Sequence, residues 1–248
     1  MKKTSFAVAT LLVAGLTSMV YADDAKKKAD VKGETPKVSA KGEKPKPSVK
    51  GEKPKASPGW VVIEEEWWHP FLYDFSTTLH NAREHYRAKE EKSASAEIDK
   101  AISWLQFAQG HAAKSTAEDL ATAQADLMDF SARLKSGKAV LAKELDAAFA
   151  HASVALAKHH HFMSGKSMAE GDLQTAGRHL MAATDLLRSA AQSANLEYGS
   201  EAVELYDAYA PYGYWDDAIV FEKSKLESNL TTLKTELEKL ATKLKASR

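Results

Sequence analysis

From residue 70 onward, apolar side chains recur every three or four positions along most of the chain. The first such series consists of Leu72, Phe75, Leu79, Ala82 and Tyr86, in a helix that is predicted from near Pro70 to about Lys92. This spacing gathers the apolar side chains on one face of an α-helix. Similar series predict further helices over about 95–108, 115–134, 139–161, 166–194 and 200–209. Because alanine is abundant and runs of β-branched residues are scarce, we predict an all-α fold, built as an antiparallel helical bundle.

The ends of the predicted helices follow from residues that cap or interrupt a helix. Ser115 and Glu118 have the spacing of a capping box, in which each side chain bonds a backbone N–H at the helix start. Glycine commonly follows the last turn of a helix, so the third helix is predicted to end near Gly137. The fourth helix is predicted to end near His161, with a bend at Gly165 before the fifth. The fourth and fifth helices would then fold back on each other near Gly165.

The last predicted helix, over about 216–245, carries a regular series of leucines. These are Leu226, Leu230, Leu233, Leu237, Leu240 and Leu244, which follow one another at alternating steps of four and three residues. Such a series is typical of a coiled-coil seam. The sequence leaves two arrangements open, because the seam either packs along the bundle or joins a second copy of the chain in a homodimer.

An internal repeat without gaps, offset by 75 residues, relates the region of the first two helices to that of the fourth and fifth. It aligns Leu105 with Leu180 and His85 with His160. We therefore predict a duplicated helical hairpin. In a bundle with two-fold pseudosymmetry, His85 and His160 would converge on one site.

The residues before the bundle divide into two segments. Residues 1–22 combine two lysines, an apolar run and a small residue at Ala22, as in a secretory signal peptide, so we expect a periplasmic or secreted protein with no membrane span after cleavage. Residues 23–59 repeat the motif Lys-Gly-Glu every nine residues and are rich in lysine and proline. This composition predicts a disordered linker, either a spacer or an electrostatic tether to an anionic surface. Residues 60–248 then form the helical bundle domain.

The composition excludes several kinds of chemistry. The chain has no cysteine, so it has no disulfide, thiolate metal ligand or cysteine nucleophile. It has 34 basic and 34 acidic residues, with the basic excess in the linker. No aromatic residues are interleaved with the linker lysines, so nucleic acid is not an expected partner. Since no nucleophile elbow, phosphate loop or zinc-protease motif occurs, we predict a non-catalytic protein.

Histidines are the candidate metal ligands, because imidazole suits zinc and copper and the chain offers no thiolate. The candidates are His85, His151, His159, His160 and His179. A bend at Gly165 would bring His151 opposite His179. The alternative is that these histidines are hydrogen-bonded structural residues, and His160 could also serve as a pH switch.

Aromatic residues cluster at the beginning of the bundle and before its last helix. The candidate partner-binding residues are Trp67, Trp68, Tyr212, Tyr214 and Trp215. Such side chains stack on sugars or bind a protein, unless they pack on one another and close one end of the bundle. We therefore expect an exported binding or scaffold protein of the cell envelope, whose partner is an envelope protein or a cell-wall component. The alternative is a periplasmic protein that binds zinc or copper through histidines.

Overall fold

The computed structural model describes residues 65–197, 199–210 and 219–246, without the side chains of residues 65–70. The predicted signal peptide and the linker, residues 1–22 and 23–59, lie outside the described residues. Within the described ranges the regular structure is entirely α-helical, which confirms the predicted all-α class. The helices are α1 (Glu65–Arg87), α2 (Glu91–Gly110), α3 (Lys114–Lys135), α4 (Ala142–Ala169), α5 (Leu173–Ala194), α6 (Ser200–Tyr209) and α7 (Lys223–Ala246).

Helices α4 and α5 form the centre of the body. They pack on each other more extensively than any other pair of described helices, and α7 packs on both. Residues 152–157 of α4 and 179–187 of α5 are buried one after another. A helix that is buried around its whole circumference is typical of the interior of a bundle. Helices α1, α2 and α3 pack in sequence order beside this pair.

The leucine seam of α7 is covered within the chain. All six leucines from Leu226 to Leu244 are buried, and α7 packs on α4, α5 and α6. Of the two arrangements that the sequence leaves open, packing along the bundle therefore accounts for the whole seam. None of the described helices is long and apolar enough to cross a membrane.

The prediction that the fourth helix ends near His161, with the bend into the fifth helix at Gly165, is wrong. Helix α4 continues through Gly165 to Ala169, and the turn into α5 lies at Gly171, whose φ of 85° favours glycine. The side chain of Asp172 then caps α5 by accepting a hydrogen bond from the Thr175 N–H at 2.9 Å. A glycine inside a helix costs only about 1 kcal/mol relative to alanine, so neighbouring packing outweighs it.

Three other predicted helix boundaries are also wrong. Helix α3 begins at Lys114 after Ala113, which makes no side-chain cap, so Ser115 lies inside the helix and the capping box is not formed. Helix α1 ends at Arg87, because Lys89 turns the chain with a φ of 62°. Helix α7 begins at Lys223 rather than near residue 216. The predicted end of the third helix just before Gly137 is confirmed.

Candidate functional site

Three of the five candidate histidines meet between α4 and α5. His159 and His160 of α4 and His179 of α5 are fully buried. The Nδ1 atoms of His160 and His179 are 2.9 Å apart, so one ring donates a hydrogen bond to the other. The ring centroids of His159 and His160 are 5.7 Å apart. Because the α4–α5 turn lies at Gly171, the residue that comes opposite His179 is His160 and not His151.

Burial keeps these three histidines neutral at neutral pH. It lowers the pKa of His159 to about 4, with a smaller contribution from His111. It also lowers the pKa of His179 to about 3, with a smaller contribution from His159. The pKa of His160 lies well below its ordinary value because of burial and of the two neighbouring histidines, although the Phe71 backbone opposes the shift. The cluster is thus an array of neutral rings in a low-dielectric interior.

The other two candidate histidines lie elsewhere. His85 is partly exposed near the end of α1, where its Nδ1 is 2.6 Å from a Glu90 carboxylate oxygen. It lies fourteen residues beyond Phe71, about 21 Å along the helix, whereas the Phe71 ring centroid is 4.9 Å from that of His160. The expected convergence of His85 and His160 is therefore wrong.

His151 does not face His179, which corrects the second expected pairing. It precedes His160 by nine residues, about 13 Å along α4, and lines a small cleft with Asp119 and Asp126 of α3. Among the described residues, no group of three or more histidine, aspartate and glutamate side chains is arranged to hold a metal ion. Metal binding stays a prediction.

The predicted partner-binding aromatics cannot be placed. The side chains of Trp67 and Trp68, and the residues Tyr212, Tyr214 and Trp215, lie outside the described residues.

A different aromatic cluster, formed by Phe71, Trp104 and Phe107, packs against the buried histidines. Phe71 of α1 contacts the His160 ring on one side and the Phe107 ring of α2 on another, with centroid distances of 4.9 Å in both pairs. Trp104 is the next member, 6.3 Å from Phe107 and 6.5 Å from Phe71. The side chains of Trp104 and Phe107 are only partly buried, so they carry this layer to the surface.

Trp104 and Phe107 form the floor of an open cleft of about 560 Å³ between α1 and α2. Its remaining walls are polar and come from both helices: Asp74, Thr77, Thr78, Asn81, Glu97, Lys100 and Ser103. Lys100 and Glu97 form an ion pair of 2.5 Å on the rim. The cleft thus joins flat apolar surface to several hydrogen-bonding groups, a combination typical of small-ligand sites.

The sequence contains a signal for this cleft that the apolar periodicity alone does not reveal. The buried face of α2 consists of Ala94, Ser95, Ile98, Ala101, Ile102, Leu105 and Ala108. Trp104 and Phe107 fall outside that face and are three residues apart, so they share a neighbouring face of the helix. Two large aromatic residues placed beside a complete apolar face are a sign of a binding surface.

A second cleft of about 750 Å³ lies between α3, α4 and α7. Its lining includes the exposed ring of Phe162 together with Leu237 and Lys166. His161 also lines it, and its Nε2 is 3.1 Å from the Leu230 carbonyl oxygen. Among its described lining residues Phe162 is the one phenylalanine, and no tryptophan lies beside it, so this cleft lacks the layered floor of the α1–α2 cleft.

No protein-family model, curated protein or solved structure shows significant similarity to this chain.

Proposed function

We propose that this chain is an exported, non-catalytic binding protein of the cell envelope, and that its helical body recognises an envelope component in the α1–α2 cleft. The observation that carries the proposal is the composition of that cleft. Trp104 and Phe107 offer flat contact surface, and side chains on both helices offer hydrogen bonds around it. Binding requires contact area and placed polar groups, and the cleft supplies both.

The support beneath the cleft favours recognition by a preformed surface. Phe107 packs edge-on against Phe71 at an interplanar angle of 69°. Phe71 is itself buried on the His160–His179 pair, which belongs to the central helices. A floor held by a packed second layer loses little conformational entropy when it binds a ligand.

The linker and the duplication complete the proposal. Residues 23–59 would hold the body at a distance from its attachment point, or bind an anionic surface through their lysines.

The two hairpins α1–α2 and α4–α5 would derive from one duplicated unit, which is supported by the burial of Ala82, Ala157, Leu105 and Leu180 at aligned positions. The 75-residue offset would place the α4–α5 turn at residue 164, seven residues before its position at Gly171. Seven residues are about two helical turns, so the displacement leaves the same faces of α4 and α5 toward each other.

Cosedimentation with purified cell-wall sacculi and with the membrane fraction tests the role of the cleft. The chain over 23–248 is compared with the double variant Trp104→Ala/Phe107→Ala and with Phe162→Ala, which removes the aromatic ring of the other cleft. We expect the double variant to lose about tenfold in retention, as for the central residues of an interface, while Phe162→Ala is retained like the parent chain. Equal retention of the double variant and the parent chain would refute the role of the cleft.

A version of the chain without residues 23–59 separates the two roles of the linker. A spacer can be removed without loss of retention. A tether is indicated if retention falls and if added salt reproduces the loss, because exposed charges are screened beyond about 8 Å at physiological ionic strength.

A second candidate function is binding of zinc or copper by histidines. The observation in its favour is the meeting of His159, His160 and His179 in the core, where neither ring nitrogen of His159 has a hydrogen-bond partner among the described residues. Binding through both His160 and His179 would require them to give up their mutual hydrogen bond, because the ring that accepts at Nδ1 is protonated at Nε2.

A further inference from the structure

The register of α1 and α2 determines how the cleft is arranged. The two helices are antiparallel, and the contact between Phe71 and Phe107 fixes their alignment. The same alignment sets Asp74 across from Trp104 and Asn81 across from Glu97. Asp74 and Asn81 are seven residues apart, about 10 Å along the helix. The cleft is therefore an elongated groove with an aromatic end and an amide end.

The aromatic end suits a ligand with both an apolar face and polar edges. A pyranose ring has C–H groups on its faces and hydroxyl groups around its rim, so it can lie on the Trp104 indole while its hydroxyls reach the groups beside it. The Asp74 carboxylate lies at this end and accepts hydrogen bonds. An aliphatic ligand would leave these polar groups unpaired, which lowers its affinity.

The charges of the groove disfavour an anionic ligand. Lys100 is paired with Glu97, so this pair presents little net charge to a ligand. Asp74 remains as an acidic group on the groove and repels anions. Asn81, Thr77 and Ser103 add amide and hydroxyl groups, which donate and accept hydrogen bonds with no charge.

We infer that the α1–α2 cleft is a saccharide site, which takes a short chain of neutral pyranose rings, with one ring on Trp104 and the next directed toward Asn81. The inference rests on the proposed function and names its ligand class. The length of about 10 Å along α1 matches a disaccharide unit. The volume of about 560 Å³ lies within the usual range for small-ligand sites.

Ligand-observed NMR and calorimetry on the chain over 23–248 test the inference. The probes are cellotetraose, with plain hydroxyls, and chitotetraose, with N-acetyl groups, so that the two arms separate a general glucan from an amino-sugar glycan. We expect at least one probe to bind. Trp104→Ala should weaken it by about tenfold because the stacking face is lost, and Asn81→Ala by about threefold to tenfold because a hydrogen bond is lost.

Two controls keep the result interpretable. Phe162→Ala should bind the probe like the parent chain, since it alters only the cleft between α3, α4 and α7. Trp104→Phe keeps an aromatic face and should retain part of the affinity. It replaces Trp104→Ala as the test if circular dichroism shows that the Trp104→Ala chain is misfolded. The inference is overturned if neither saccharide binds, or if Phe162→Ala weakens binding as much as Trp104→Phe.

The two proposals fail in different ways. If the chain is retained by envelope material through the cleft while neither saccharide binds, the binding function stands and the ligand class is wrong. If neither sacculi, membranes nor saccharides are bound, the proposed function fails together with the inference.

Discussion

At the scale of single residues, the hydrogen bond between His160 and His179 bears on the choice between metal binding and the proposed recognition of an envelope component. His160 and His179 satisfy each other through their Nδ1 atoms. In this neutral pair the ring that accepts at Nδ1 carries its proton on Nε2, so only the donating ring keeps a lone pair that could bind an ion. Buried nitrogen atoms that already share a hydrogen bond therefore offer a metal less than the same atoms would if they were free.

We expect no metal binding tighter than about micromolar that depends on these histidines. Calorimetric titration of the metal-free chain with Zn²⁺ and Cu²⁺ measures it, in parallel with His160→Ala, His179→Ala and the surface variant His85→Ala. A site of nanomolar affinity, about 12 kcal/mol of binding free energy, that is lost in His160→Ala and kept in His85→Ala would contradict the expectation. It would establish the second candidate function.

Gly177 of α5 is a residue whose missing side chain is required by the packing. A methyl group at this position would overlap the ring of Phe221, which is buried on α5 just before α7 begins. We expect Gly177→Ala to destabilise the body by about 1–3 kcal/mol, as for other overpacked positions. The measurement is the free energy of unfolding in urea.

Gly165 provides the matched control for Gly177. It also lies inside a helix, but nothing lies within 4 Å of an added Cβ. Gly165→Ala should therefore stabilise α4 by up to about 1 kcal/mol. If both variants shift stability in the same direction, the contact with Phe221 does not govern the effect at Gly177.

At the scale of the elements, periodicity predicted the helix faces better than local residues predicted the helix ends. The buried positions of α2 include Ile98, Ala101 and Leu105, as the spacing indicates. The break at Gly165 failed because the burial of residues on either side of it holds α4 together. Asp172 caps α5, but no apolar series ends next to it, so the periodicity does not predict this helix start. A helix face sums many contacts, whereas a helix end depends on one or two.

The seam of α7 allows a prediction about the assembly of the elements. Leu233 is fully buried within the chain. Truncation by Leu233→Ala should cost about 2–5 kcal/mol through the cavity that it leaves. Because the seam is covered by α4 and α5 of the same chain, the melting temperature of the parent should not depend on protein concentration.

The measurement that checks the seam is thermal unfolding at two concentrations a hundredfold apart, with light scattering for the mass. A homodimer through α7 would instead raise the melting temperature with concentration, by mass action. Lys234→Ala, on the exposed side of the same helix, is the control and should change the stability by less than about 0.5 kcal/mol.

At the scale of the whole molecule, the all-α class and the candidate histidines could be predicted from the sequence. Which of these histidines lie next to one another could not. That outcome depends on the position of the α4–α5 turn, since a displacement from Gly165 to Gly171 exchanges His151 for His160 opposite His179. The α1–α2 cleft depends similarly on the register of two helices, fixed by Phe71 and Phe107. Long-range registers are set by packing, which a single sequence does not display.

The central position of the histidine cluster makes the stability of the whole body depend on acid. In the unfolded chain a histidine has a pKa near 6.5, whereas burial lowers that of His159 to about 4 and that of His179 to about 3. Between these values the unfolded state binds more protons than the folded state, so stability falls as the pH falls. Above pH 7 both states are neutral at these rings and the contribution vanishes. One histidine with a pKa of about 4 removes about 3 kcal/mol by pH 4, a large share of the stability of a typical domain.

We expect the urea midpoint of the chain to be constant from pH 8 to 7 and to decrease steadily from pH 6.5 toward pH 4. His159→Leu should reduce this slope, because it removes a titrating ring whose nitrogens have no hydrogen-bond partner among the described residues. His80→Gln, at an exposed position of α1, is the matched control and should keep the parent slope. A slope that is unchanged in His159→Leu would show that the acid sensitivity does not come from His159 but from other groups, of which His160 and His179 also have lowered pKa values.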